Sequence, residues 1–227
     1  MVEVFPGRGR HSQPTVLVSG RQQDLLQAVS LQLFGERAMP GDGVVIVTAR
    51  ANPERLGRKL TTNVPAFESD RIDLVDCRTG RHHPQSHPAT RTDDVPTPIS
   101  FVDIETSVES ARLTLDERNV ERRHFLFDTL TTQFRLAGVP EGVLEHAETL
   151  AMAIGIESGL TVFTVDPTVV TDHELDRLRH LFDVHLEVRS SEAEVELRWT
   201  GLIGGSDGWL PLADAGIRFD PLEPGLG

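Results

Sequence analysis

The chain has 227 residues, a formal net charge of −13 and a single cysteine, Cys77. That length suits one α/β domain with a sizeable core, the lone cysteine excludes a disulfide within the chain and points to a reducing cytoplasm, and the acidic balance speaks against a broad nucleic-acid face, which needs a concentrated basic patch. Of the 22 basic residues only Lys59 is a lysine; an acidic surplus with almost no lysine is what adaptation to molar salt produces, and an arginine-favouring, GC-rich genome pushes the same way.

Residues 1–14 are polar, carry Pro6, Gly7 and Gly9, and read as a flexible N-terminus rather than a signal segment. Five apolar runs of strand length follow: Thr15–Ser19, Val44–Thr48, Ile72–Val75, His124–Phe127 and Leu160–Val165. They are rich in β-branched and aromatic residues and do not alternate with polar ones, which predicts strands buried on both faces of a parallel sheet. The longest of these runs are far below the roughly 18 apolar residues that span a bilayer, so a soluble protein without membrane insertion is expected.

Helical patterns separate most of the strands. Asp24–Phe34 places Leu25, Leu26, Val29 and Leu33 near helical spacing, and Pro53–Leu60 opens with Asn52 as N-cap and Pro53 in the first turn. Ser107–Arg118, Glu141–Glu157 and Asp172–Leu181 complete the set. Strand–helix alternation predicts right-handed crossovers and an α/β sandwich of three layers around a mostly parallel sheet. Val184–Arg189 and Val195–Trp199 alternate apolar and polar residues around SSEAE, the pattern of an antiparallel edge hairpin with one wetted face. Residues 15–200 therefore read as the domain, with an irregular loop at 78–100 marked by Pro84, Pro88, Pro96 and Pro98, and residues 201–227 as a Gly/Pro-rich tail.

Taken together in order and spacing, these pieces resemble the KaiC-like branch of the RecA superfamily of P-loop ATPases. LQLF (Leu31–Phe34) is similar to the ending of that family's first helix. VVIVTARANPERLGRKL (Val44–Leu60) resembles its second strand and "sPERL" helix, and IDLVDC (Ile72–Cys77) its third strand. RRHFLFDTLTTQF (Arg122–Phe134) resembles the Walker B strand, and GLTVFTV followed by LRHLFDVHLEVR the last core strand and the edge strands. The resemblance implies a RecA-like fold and a nucleotide site at the turn after the first strand.

That turn lacks the residues the chemistry needs. A phosphate loop, G-x-x-x-x-G-K-[ST], uses glycines to wrap backbone N–H groups around the phosphates, a lysine on the β and γ oxygens and a hydroxyl in the Mg²⁺ shell. Counted without a gap from Gly20, the second glycine falls on Leu25, the lysine on Leu26 and the hydroxyl on Gln27. Between them lie Arg21, Gln22 and Gln23 at a helix N-terminus that still offers free N–H groups. The carboxylate expected just after the second strand is absent, since Thr48, Ala49, Arg50 and Ala51 follow Val47. Asp128 matches the Walker B aspartate; beside Thr129 and Thr131 it also suits the cap of the following segment. The positions Gly20, Arg21, Gln22, Gln23, Leu25, Leu26, Gln27 and Asp128 thus mark a degenerate nucleotide site, with no catalytic residue and no metal ligand assigned.

Other candidates have plainer explanations. His82, His83 and His87 lie together on the long loop but without the ordered, cysteine-rich spacing of a zinc site, and read as solvated. Asp93 and Asp94 belong to the acidic surface, and Cys77 reads as a small buried hydrophobe. Ser19 in VLVSG is not the G-x-S-x-G elbow of hydrolases. His146, between Glu145 and Glu148, reads as part of a wetted helix face. Trp199 is expected under the edge hairpin, and Trp209 either over a sheet edge or as a partner anchor.

The expected function is a non-catalytic RecA/KaiC-like domain acting as a regulatory or scaffold protein in the cytoplasm of a halophilic archaeon, without cofactor and with a protein partner or self-association. A nucleotide-binding protein, or a slow ATPase completed by a partner and using ATP and Mg²⁺, is the alternative. A DNA-repair accessory would need a basic stripe, against which the net charge counts.

Overall fold

Strand β1 (Thr15–Ser19) is buried at every residue, and so are β2 (Gly43–Thr48), β3 (Ile72–Asp76) and β6 (Thr161–Val165); β5 (Arg123–Asp128) is buried after its first residue. The computed structural model describes residues 14–77, 81–84, 101–136, 139–155, 159–191, 194–201, 204–206 and 208–212. With β7 (Val184–Ser190), these strands form a parallel block in the order β7-β1-β6-β5-β2-β3. Burial on both faces is why their sequences are continuous apolar runs.

Antiparallel strands finish both edges. β8 (Val195–Gly201) pairs with β7, and β9 (Gly204–Gly205) and β10 (Leu210–Pro211) each pair with β8. At the other edge β4 (Arg81–Pro84) pairs with β3. The stretch expected to be an irregular loop therefore holds a strand, and the tail expected from residue 201 onward holds two; the rest of that loop and residues 213–227 lie outside the described residues, as does the expected flexible N-terminus up to residue 13.

Helices cover the two faces. α1 (Gln23–Arg37) and α2 (Pro53–Asn63) lie on one side, where Leu26, Val29, Leu33, Leu56 and Leu60 join Val16, Val18, Ile46 and Val162 of the sheet. α3 (Phe101–Glu117), α4 (Leu130–Leu136), α5 (Pro140–Gly155) and α6 (Asp172–Leu181) lie on the other, where Val108, Phe134, Leu150 and Leu178 pack on Leu17, Val45, Phe127 and Phe163. α2 begins as its sequence demands: the Asn52 side chain accepts from the Arg55 amide at 3.0 Å, with Pro53 in the first turn. α6 opens with a full capping box between Thr171 and Glu174. Among the described residues no helix is long and apolar enough to cross a membrane.

The base of the sheet is locked by charge. Asp42, wholly buried, accepts from Arg122 (2.9 and 3.1 Å), from the Met39 amide (2.8 Å) and from His124 Nε2 (3.0 Å). The Leu160 amide donates to His124 Nδ1, so the ring is neutral with its proton on Nε2. Burial alone would raise the Asp42 carboxyl, but these donors bring it below its ordinary value.

Candidate functional site

The carboxyl ends of β1, β6, β5 and β2 meet where an open α/β sheet ordinarily receives its ligand, beside the point at which successive strands depart in opposite directions. Only Gly20, Arg21 and Gln22 separate β1 from α1. Gly20 is a glycine because of its surroundings: an added Cβ would lie 2.7 Å from the Val188 carbonyl oxygen of β7 and 3.1 Å from Leu26. Its amide donates to the Val165 carbonyl at 3.1 Å. Arg21 and Gln22 are exposed, and Gln22 makes no side-chain cap.

The three positions reached by gapless counting all fall inside the helix rather than in a loop. Leu26 is a core residue, Leu25 packs against the same cluster, and Gln27 is buried. With Leu26, Val29 and Leu33 packed against the sheet, α1 starts at Gln23, three residues after Gly20.

Asp128, at the end of β5, is buried and surrounded by uncharged donors. The Thr164 hydroxyl donates to its Oδ1 at 2.9 Å, and Gln23 Nε2 (3.2 Å) and the Thr48 hydroxyl (3.4 Å) donate to Oδ2. Burial pushes the carboxyl above its ordinary range, against the pull of these hydrogen bonds and of the Arg50 charge. Thr48 has a second task, accepting from the amides of Arg50 and Ala51 to close the turn after β2. Each side chain here satisfies another side chain or the backbone of the same chain.

A buried polar pair between β1 and β7 was not evident from the sequence. Ser19 Oγ lies 2.7 Å from His185 Nε2, and His185 Nδ1 lies 3.9 Å from Glu187, itself bound to Arg198. Ser19 and His185 are both almost completely buried, and burial lowers the imidazole from 6.5 to about 4. The pair resembles a nucleophile and its base but has no path to substrate; it holds β1 to β7. The sequence hid it, because in the alternating Val184–Arg189 pattern His185 takes a polar position like Glu187 and Arg189.

The remaining candidates can be placed. His146 is not on a wetted face: it is 3% exposed, stacked on Phe101 at 4.7 Å and hydrogen-bonded to Glu105 at 2.9 Å. Glu145 and Glu148 take the exposed side of the same helix, and the 3.6-residue period turns His146 inward. Cys77 is buried, its thiol pushed up to about 12. Trp199 is in the core under the hairpin, and Trp209 lies beneath Arg189 (4.1 Å) and Arg198 (5.1 Å) at the sheet edge. His82 and His83 fall on β4, while His87, Asp93 and Asp94 lie outside the described residues. Among the described residues no three His, Cys, Asp or Glu side chains are grouped to hold a metal.

The sequence profile of a family of unknown function (DUF7504) matches residues 14–188. No curated protein matches the chain. Two solved structures share its fold. One is an uncharacterized protein, PH0321, from Pyrococcus horikoshii, crystallised in complex with an unknown peptide, at 12% identity and a TM-score of 0.56, with 84% of each chain covered. The other is the KaiC-like protein PH0186 from Pyrococcus horikoshii OT3, at 12% identity and a TM-score of 0.52, covering 87% of this chain and 84% of that one. The RecA-like α/β fold expected from the order of the sequence pieces is the fold observed.

Proposed function

The chain belongs to the DUF7504 family, and from the residues of its own site we propose that it is a non-catalytic RecA/KaiC-like protein that works by binding a protein partner, as a regulator or scaffold. The observation that carries this reading is the state of Asp128. In a working site of this fold the equivalent carboxylate serves a metal and its nucleotide. Here Gln23, Thr48 and Thr164 take its oxygens. The three-residue turn and the core role of Leu26 add that neither a phosphate cradle nor a lysine is supplied. These residues do not fit a magnesium triphosphate.

Loss of the chemistry leaves surfaces as the means of action, and the peptide bound to the similarly folded PH0321 is in keeping with a partner-binding role. The composition, acidic with one lysine, supports a cytoplasmic setting in a halophilic archaeon. Calorimetric titration with ATP and Mg²⁺ in molar KCl tests the reading. No binding heat is expected. Micromolar binding would overturn it in favour of a nucleotide-binding protein or a slow ATPase completed by a partner, for which exposed Arg21 and the charge of Arg50 near Asp128 would be the first residues to probe.

A further inference from the structure

A groove of about 370 Å³ runs between α3 and α5, far from the sheet end that holds Asp128. Its floor is apolar, made by Val108, Phe125, Leu150 and Ile154, and its rim carries Glu105, Glu109, Arg112 and Arg123. Past Glu105, the stacked rings of Phe101 and His146 bridge the two helices.

The rim charges are not equivalent. Arg112 is bound by Glu109 through two contacts of 2.8 Å, and Arg123 is paired with Asp116. Glu105, by contrast, meets His146, a ring that burial keeps neutral. A neutral imidazole donates one hydrogen bond and leaves the carboxylate its full charge. Glu105 therefore places an uncompensated negative charge, with its side chain 40% exposed, beside an apolar trough.

The surroundings have the same sign. α3 carries five carboxylates against one arginine, and α5 three carboxylates with neither lysine nor arginine. On the opposite face α2 carries Arg55, Arg58 and Lys59 against Glu54, so of these three helices the two that line the groove carry the acidic surplus. Val102, one turn before Glu105, is 68% exposed and offers an apolar ledge for the stem of a long cationic side chain.

We propose that this groove docks a partner segment combining apolar anchors with arginine or lysine, the anchors resting over Phe125 and Leu150 and a cation meeting Glu105. Docking an amphipathic segment into an apolar groove, with charge selecting the partner, is a common mode of peptide recognition. The proposal gives a surface and a partner chemistry to the partner-binding reading above, and it does not depend on the loss of nucleotide binding.

The test is fluorescence anisotropy with three labelled model peptides of helical repeat in molar KCl: leucine with arginine, leucine with glutamate, and serine with arginine. Only the first is expected to bind. Ala153→Trp, which fills the groove from an exposed position, is expected to weaken it tenfold or more. Glu105→Gln, which keeps an acceptor for His146 but removes the charge, is expected to weaken it several-fold. Melting of each variant shows whether it folds, and either one suffices to decide. Equal binding of the leucine peptides, no binding of any, or affinity unchanged in a folded variant would overturn the proposal. An ATP titration on the same sample separates this failure from failure of the functional reading.

Discussion

At Gly20 the phosphate-loop explanation and the packing explanation make different demands. A glycine kept for a ligand would tolerate a methyl group when no ligand is bound, whereas this one is pressed against the β7 backbone. Gly20→Ala is therefore expected to cost about 1–3 kcal/mol of stability through overpacking, read as a lower midpoint in urea unfolding with an unchanged slope. His185 gives a second prediction. Its folded value, about 4, lies below the ordinary 6.5, so the unfolded chain takes up the proton first. Stability is then complete above about 6.5 and falls as the pH drops toward about 4, by roughly 3 kcal/mol over that window. His124 and His146, also held neutral by burial, act in the same direction. His185→Asn should flatten the pH dependence of the urea midpoint; an unchanged profile would contradict the role given to burial.

Helix α1 differs from its neighbours in how it begins. α6 has a full capping box and α2 an asparagine cap, but at α1 the N-cap position is Gln22, which makes no side-chain cap. Gln22→Asp is expected to stabilise the protein by about 0.5–1 kcal/mol, through a hydrogen bond to the first turn and the attraction of a carboxylate to the helix N-terminus. A differential-scanning measurement of the melting temperature would show a rise, and no rise would mean that the turn is already satisfied. The strands were legible because burial on both faces writes an uninterrupted apolar run. Helix α4 was not, since LTTQFRL is only seven residues, too short to display a helical period. Strand β4 was hidden by the polar RHHP, which sits at an edge where burial does not dictate composition. The contacts that decide the site were beyond reach for a different reason. Gln23 and Asp128 stand 105 positions apart, and Ser19 and His185 stand 166 apart, so each pairing exists only once the sheet order is known.

At the scale of the whole molecule, the charge of −13 is carried as a surplus of carboxylates over a protein with one lysine. Self-repulsion of that surplus opposes the compact state and is screened by salt. Raising KCl from about 0.1 M to about 1 M shortens the Debye length from about 10 to about 3 Å, and the melting temperature is expected to climb with it. A flat or falling response would count against adaptation to molar salt and leave genome composition as the reason for the arginines.

The cluster of Asp42, Arg122 and His124 bears on how the two ends of the sheet divide their work. It clamps one pole of the sheet, through Phe34 and Phe67 against the imidazole and the Leu160 amide on its other nitrogen. Because that anchorage owes nothing to the opposite pole, residues there can vary without loosening it, and the slowest-exchanging amides should be found around the anchor.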